Sequence, residues 1–148
     1  MAENCTMRMD DADACVEEVI RRVGNKIVLG LPLGLGKPLR FVNALYQRAR
    51  RDPQIELHIL TALSLVKPSG RSALEKRFLE PFSERLYGAI PDLDYALDLS
   101  ANKLPPNVKV SEFFFKAGSF MHNSSQQRHY ISLNYTHAVR DLMAMGIN

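Results

Sequence analysis

Three glycines and a lysine lie within ten residues in Leu29-Gly30-Leu31-Pro32-Leu33-Gly34-Leu35-Gly36-Lys37-Pro38, residue types that could cradle a phosphate. A phosphate loop needs four residues between its first glycine and its Gly-Lys pair, then a hydroxyl for magnesium. Here five residues separate Gly30 from Gly36, and Pro38 stands in place of the hydroxyl. The dinucleotide pattern fails too: Gly34 and Gly36 supply its first two glycines, but Leu39 occupies the third position. What survives is a glycine-rich turn between a strand and a helix, which exposes backbone N–H groups in a crevice. Leu31, Leu33 and Leu35 make that turn apolar. It suits a neutral or transiently anionic group, such as the oxyanion of an acyl thioester under attack, better than a polyphosphate. A tight connecting turn without a ligand is the simpler alternative.

The other chemistry-bearing side chains are dispersed. His58, His122, His129 and His137 have no Ser or Cys with a carboxylate at a suggestive spacing. His58 falls in a segment that looks buried, where a satisfied core histidine is the plain reading. His129 and His137 flank the last predicted strand and are candidates for lining a crevice. Cys5 and Cys15 have no CxxC pairing or neighbouring histidines, so they read as free thiols, and no metal site is expected. Glu56, Glu75, Glu80, Glu84 and Glu112 read as ordinary surface carboxylates. Between Lys37 and Arg51 there are five basic and no acidic residues. Such a stripe can meet phosphate groups, or it can be the solvated face of a helix. Basic and aromatic residues are not interleaved as RNA-binding surfaces require, so nucleic acid is not an expected partner. The polar run Ser124 to Arg128 reads as a surface loop able to gate a pocket. Phe113 to Phe115, with Phe120 and Met121, reads as core or as an interface.

The elements that must position these groups follow from periodicity. Asp13 is a candidate cap for a helix carrying Cys15, Val16, Val19 and Ile20 and ending near Gly24. Lys26 to Leu29 reads as a strand buried on both faces. From Pro38, suited to a first helical turn, Leu39, Val42, Leu45, Tyr46 and Ala49 form one helical face. Ile55 to Leu65 reads as a second strand. A helix is expected from about Ser72 to Leu79, with Pro81 restarting another that reaches Tyr87. A short helix follows over Asp92 to Ala101, then a strand over Val108 to Val110. Ser111 would cap a helical turn running to Lys116. Tyr130 to Tyr135 reads as a strand, and Thr136 would cap a final helix. Ile147-Asn148 looks like the first step of another strand. Alternating strands and helices predict an α/β domain around a parallel sheet.

The chain has 148 residues, a net charge of +3, 46% hydrophobic and 24% charged residues, values ordinary for one soluble domain. No apolar run reaches the roughly 20 residues of a membrane span. The polar, acidic start to Asp13 is not that of a secretory signal, so a cytoplasmic setting with no membrane partner is expected. Residues 1–24 read as an N-terminal arm and helix, and residues 25–148 as the α/β domain.

The segment "IVLGLPLGLGKPLRFVNALYQRA" resembles the opening strand, glycine-rich turn and helix of the acetyl-CoA hydrolase/transferase family, in the class I CoA-transferase group. The resemblance continues through "LEPFSERLYG" and "NKLPPNVKVSEFFFKAG" into "HYISLNYTHAVRDLM", and covers roughly residues 25–148. It implies a three-layer, parallel-sheet α/β domain of the NagB/RpiA/CoA-transferase-like type. It also implies coenzyme A or acyl-CoA as substrate, with a carboxylate or water as second reactant and no metal. In that family a glutamate of a second α/β half attacks the thioester carbonyl and forms an acyl-glutamyl anhydride. The glycine-rich surroundings of that glutamate have no counterpart here. The resemblance therefore implies a first half lacking its nucleophile, with no catalytic residue in this chain and a C-terminal CoA-transferase half as partner. A homodimer stays open. The implied substrate-binding residues are Gly30, Gly34, Leu35, Gly36, Lys37 and Pro38, of which Gly34, Gly36, Lys37 and Pro38 match the family's "G-x-G-x-P" core best. One departure is Asn134-Tyr135, where the family's closing strand carries a proline. A non-catalytic ligand- or partner-binding α/β domain is the alternative reading.

Overall fold

The protein is described here by a computed structural model covering residues 7–32, 36–64, 66–114 and 117–148. Among these described residues, three parallel strands form one sheet in chain order: β1 (Lys26–Gly30), β2 (Glu56–Thr61) and β3 (Val108–Glu112). Parallel strands need long crossovers, and helices supply them. The first crossover is α2 (Leu39–Arg51); the second contains α3 (Ala73–Tyr87) and α4 (Asp94–Ser100). Helix α1 (Ala12–Val23) precedes the sheet, and α5 (Ser124–His129) and α6 (Tyr135–Ala144) follow it. The chain is thus an α/β protein with a parallel sheet, as its alternating pattern predicts.

Register explains which sheet face is covered. Ile27 is level with Leu57, which is level with Val108; Leu29, Ile59 and Val110 form the next row. These rows join Val16 of α1, Val42, Leu45, Tyr46 and Ala49 of α2, and Tyr95, Ala96 and Leu99 of α4 in one apolar core. Each large side chain so buried contributes roughly 1.5–3 kcal/mol by leaving water. The opposite face carries Lys26, Val28, Glu56, His58 and Lys109, which line an open groove of about 530 Å³ together with Met145.

Helix ends differ from the sequence expectation where a neighbour outcompetes the expected cap. Asp11, not Asp13, caps α1: its Oδ2 accepts from the Ala14 N–H at 3.0 Å. Asn134, not Thr136, caps α6 by accepting from the His137 N–H. Pro81 does not restart a helix but lies inside α3, which runs unbroken over 15 residues. The missing N–H of proline removes one intrahelical bond. At its start, a capping box offsets that loss, with Ser72 and Glu75 satisfying each other's backbone N–H groups.

The C-terminal third departs most. Ser111 begins no helical turn; it belongs to β3, level with Leu60. The expected surface loop Ser124 to Arg128 lies within α5, capped by Asn123. No strand forms over 130–134: Tyr130 N–H closes α5 onto Gln126 O, and Ile131 N–H makes a single bond to Glu112 O at 3.2 Å. The chain must then turn to start α6, so pairing along β3 cannot propagate. At the far edge of the sheet, Asn148 docks beside β1. Its N–H donates to Val28 O, its Oδ1 accepts from Val28 N–H at 2.9 Å, and its Nδ2 donates to Lys26 O at 3.0 Å.

Candidate functional site at the carboxyl ends of the strands

On the covered face, the two apolar rows are followed by a polar one. Thr61 ends β2 and is level with Glu112 at the end of β3. Both are buried, at 1% and 2% exposure. The glycine-rich turn leaves β1 at the same end of the sheet and delivers Lys37 into this row. Lys37 is only 5% exposed; its Nζ donates to Pro32 O at 2.5 Å and to Thr61 Oγ1 at 3.1 Å. The lysine therefore pins the turn to its neighbouring strand instead of reaching solvent, contrary to the solvated helix-start lysine that its position suggests.

Glu112 corrects the sequence reading most sharply, because it is no surface carboxylate. One of its oxygens accepts from Nε2 of Gln126, itself buried on α5, and the second has no hydrogen-bond partner of good geometry. Ser64 lies beside it, but its hydroxyl proton is directed to Tyr95 OH at 2.8 Å. Burial pushes the Glu112 carboxyl above its ordinary value, opposed by Ser64, Lys37 and Gln126. Burial likewise pushes the Lys37 ammonium down, opposed by the charge of Glu112. Two groups of opposite charge thus share a poorly solvated row, each easing the other's cost. The sequence signal for this was faint: a lone carboxylate inside Val108 to Phe114, an otherwise strand-like run.

Beside Lys37 opens a mainly apolar cavity of about 270 Å³, bounded by Leu39, Val66, Pro68, Tyr87 and Leu93. Of the polar row, Lys37 alone lines it. Glu112 is not among the residues that line this cavity.

Among the other expected substrate-binding residues, Gly30 ends β1, and Gly36 and Pro38 lie in the turn, with Pro38 at the start of α2. Gly34 and Leu35 lie outside the described residues, as does Leu33 between Pro32 and Gly34. At Gly30 the close approach is made by the chain itself: a Cβ there would sit 2.8 Å from Ile147 Cδ1. Gly36 has a positionally undemanding environment, with Pro32 at ordinary contact distance.

The histidines do not gather at this site. Nε2 of His58 lies 2.8 Å from Ser111 Oγ on the open sheet face, and burial, with Lys109 and His129, pushes its pKa down. His129 lines a groove with Val108 and Lys109 near the amino end of β3, the far end from the turn. His137 is exposed at the start of α6. Cys15 is a free thiol, Cys5 lies outside the described residues, and among the described residues no cluster could hold a metal. The basic stripe of α2 is partly tied down: Arg48 pairs with Glu17 and Asp52, and Arg50 with Asp98. Phe113 meets Tyr135 edge-on, whereas Phe114 and Met121 are exposed; Phe115 and Lys116 lie outside the described residues. No helix among the described residues is long and apolar enough to cross a membrane.

Comparison of the chain with protein-family models gave no match, and comparisons with curated proteins and with solved structures gave none either.

Proposed function

We propose that the chain is the N-terminal α/β portion of an acyl-CoA:carboxylate CoA-transferase or acetyl-CoA hydrolase, supplying the thioester-facing turn but not the nucleophile. The observation that carries this reading is the pinned turn: Lys37 ties Pro32 to Thr61 at the carboxyl end of a parallel sheet. Carboxyl-end turns in such sheets are where ligands meet backbone N–H groups. Holding Pro32 and Lys37, at the two ends of the turn, in advance lessens the reorganisation needed when charge develops on a thioester oxygen. With its ammonium used inward, Lys37 acts as a positioning residue, and attraction of coenzyme A phosphates falls to other groups. The apolar cavity beside the turn is suited to an acyl or pantetheine-like chain. The nucleophilic glutamate belongs to a second α/β half, so this chain alone has no turnover.

Calorimetric titration with acetyl-CoA and with coenzyme A tests this. Weak binding to the chain is expected, reduced about tenfold or more in Lys37→Met, which keeps the stem and removes both bonds. Hydrolysis of acetyl-CoA and acetate-dependent exchange should be at background. Robust turnover would overturn the missing-nucleophile assignment. Absence of binding would favour the second reading, a non-catalytic domain that uses the same cavity for another small apolar ligand or a partner.

A further inference from the structure

Helix α3 is amphipathic, yet none of its 15 residues is buried. Leu74, Phe78, Phe82 and Leu86 recur every four residues and are 75%, 76%, 49% and 50% exposed. Successive members of such a row advance by about 40° around a helix, so the four make one continuous ridge. The half-buried residues of α3, Leu79, Ser83 and Tyr87, lie to one side of that ridge. The helix therefore rests on the protein by one flank and presents its most apolar surface outward. Large exposed apolar patches mark interaction surfaces.

The sequence of this ridge points to its occupant. Reversal about Glu80 exchanges Leu74 with Leu86 and Phe78 with Phe82, so like meets like. The same reversal exchanges Glu75 with Arg85, which lie about 40° to either side of the centre of the exposed face, so opposite charges come level with each other. Glu80, the residue on the axis, falls on the back of the helix, away from its own copy. A two-fold interface demands this self-complementarity: residue i of one subunit meets j of the other, and j meets i.

We infer that α3 is a homodimerisation helix, packing antiparallel on α3 of a second copy of this chain. The helices cross at the shallow angle of about +20°, at which Glu75, Phe78, Phe82 and Arg85 form the seam and Leu74 and Leu86 flank it. Phe78 of each copy meets Phe82 of the other near the axis, and Glu75 meets Arg85 at both ends. Glu75 uses Oε2 to accept from the Arg71 and Ser72 N–H groups, which leaves Oε1 for the arginine.

Sedimentation equilibrium of the full chain over a concentration series tests this, with circular dichroism confirming that each variant keeps its helix content. The wild type should be dimeric at high concentration, and Phe78→Glu should be monomeric throughout. Glu75→Arg leaves both ends of a pair positive, and Arg85→Glu leaves both negative, so each should weaken its own dimer by about tenfold or more. Mixed together, the two variants regain opposite charges at both ends and should form a heterodimer as tight as the wild type within about threefold. The inference is overturned if the wild type is monomeric, leaving the ridge to a different protein. It is equally overturned if Phe78→Glu still dimerises or if the mixture behaves as the separate variants do.

Discussion

A carboxyl group buried at the end of a strand makes folding sensitive to pH in a defined sense. The Glu112 carboxyl titrates above its ordinary 4.5 in the folded chain. From pH 4.5 up to its folded value, the native state therefore holds more protons than the unfolded state, and stability falls as pH rises. Lys37 is displaced below 10.5, so from its folded value up to 10.5 stability rises with pH. Glu112→Gln keeps an acceptor for Gln126 Nε2 and removes the titration. Its urea midpoint should decline less than that of the wild type above pH 4.5, with the two differing by on the order of 1 kcal/mol. Glu112→Leu instead strands the Gln126 amide in the core and should cost about 2 kcal/mol at any pH. His58 titrates in the opposite sense to Glu112. Its folded pKa lies below 6.5, so its contribution is present above 6.5 and is lost as pH falls through the folded value. An NMR titration of its ring protons should give a midpoint under 6.5; a midpoint above it would contradict the placement of Lys109 and His129 around the ring.

At the scale of elements, what could be read from the chain was what local physics decides. Helix α2 shows its apolar face in five positions, and β1 shows as an apolar run, because both bury against the same core regardless of detail. Gly24 could be read as the end of α1, and it takes φ +86°, a conformation that costs a side chain strain. Gly24→Ala should destabilise the chain by about 1 kcal/mol in chemical denaturation while leaving the sheet intact. The failures have a common source, a partner distant in sequence. Nothing near Glu112 announces that Gln126 will cover it, and nothing near Ser111 announces His58, 53 residues earlier. A proline pattern suggested two helices at Pro81, but one lost bond is small against a continuous 15-residue helix with a capping box. The candidate site divides the same way. The glycine-rich turn was visible as spacing, whereas the inward direction of Lys37 depends on Thr61 arriving from the next strand.

At the scale of the molecule, a three-stranded parallel sheet has two edges exposed to unwanted pairing. The β3 edge receives Ile131, and the β1 edge is met by Asn148, whose main chain and side chain together satisfy Val28 and Lys26. Ile147 at the same time packs onto Gly30, where the turn begins. The last two residues thus couple the sheet edge to the base of the candidate site, although the sequence suggested no more than the start of a strand. Asn148→Ala removes the side-chain bonds to Val28 N–H and Lys26 O but leaves the main-chain bond to Val28 O. Amide exchange at Val28 should accelerate about tenfold, which corresponds to roughly 1.4 kcal/mol of lost protection. The Leu31 amide, bonded inward to Leu60 O at 2.8 Å, serves as the internal reference and should exchange as before. Joint acceleration of Val28 and Leu31 would mean that Asn148 holds the whole of β1 and the start of the turn in place. In that case the same substitution would also weaken acyl-CoA binding, linking the sheet edge to the site through Ile147 and Gly30.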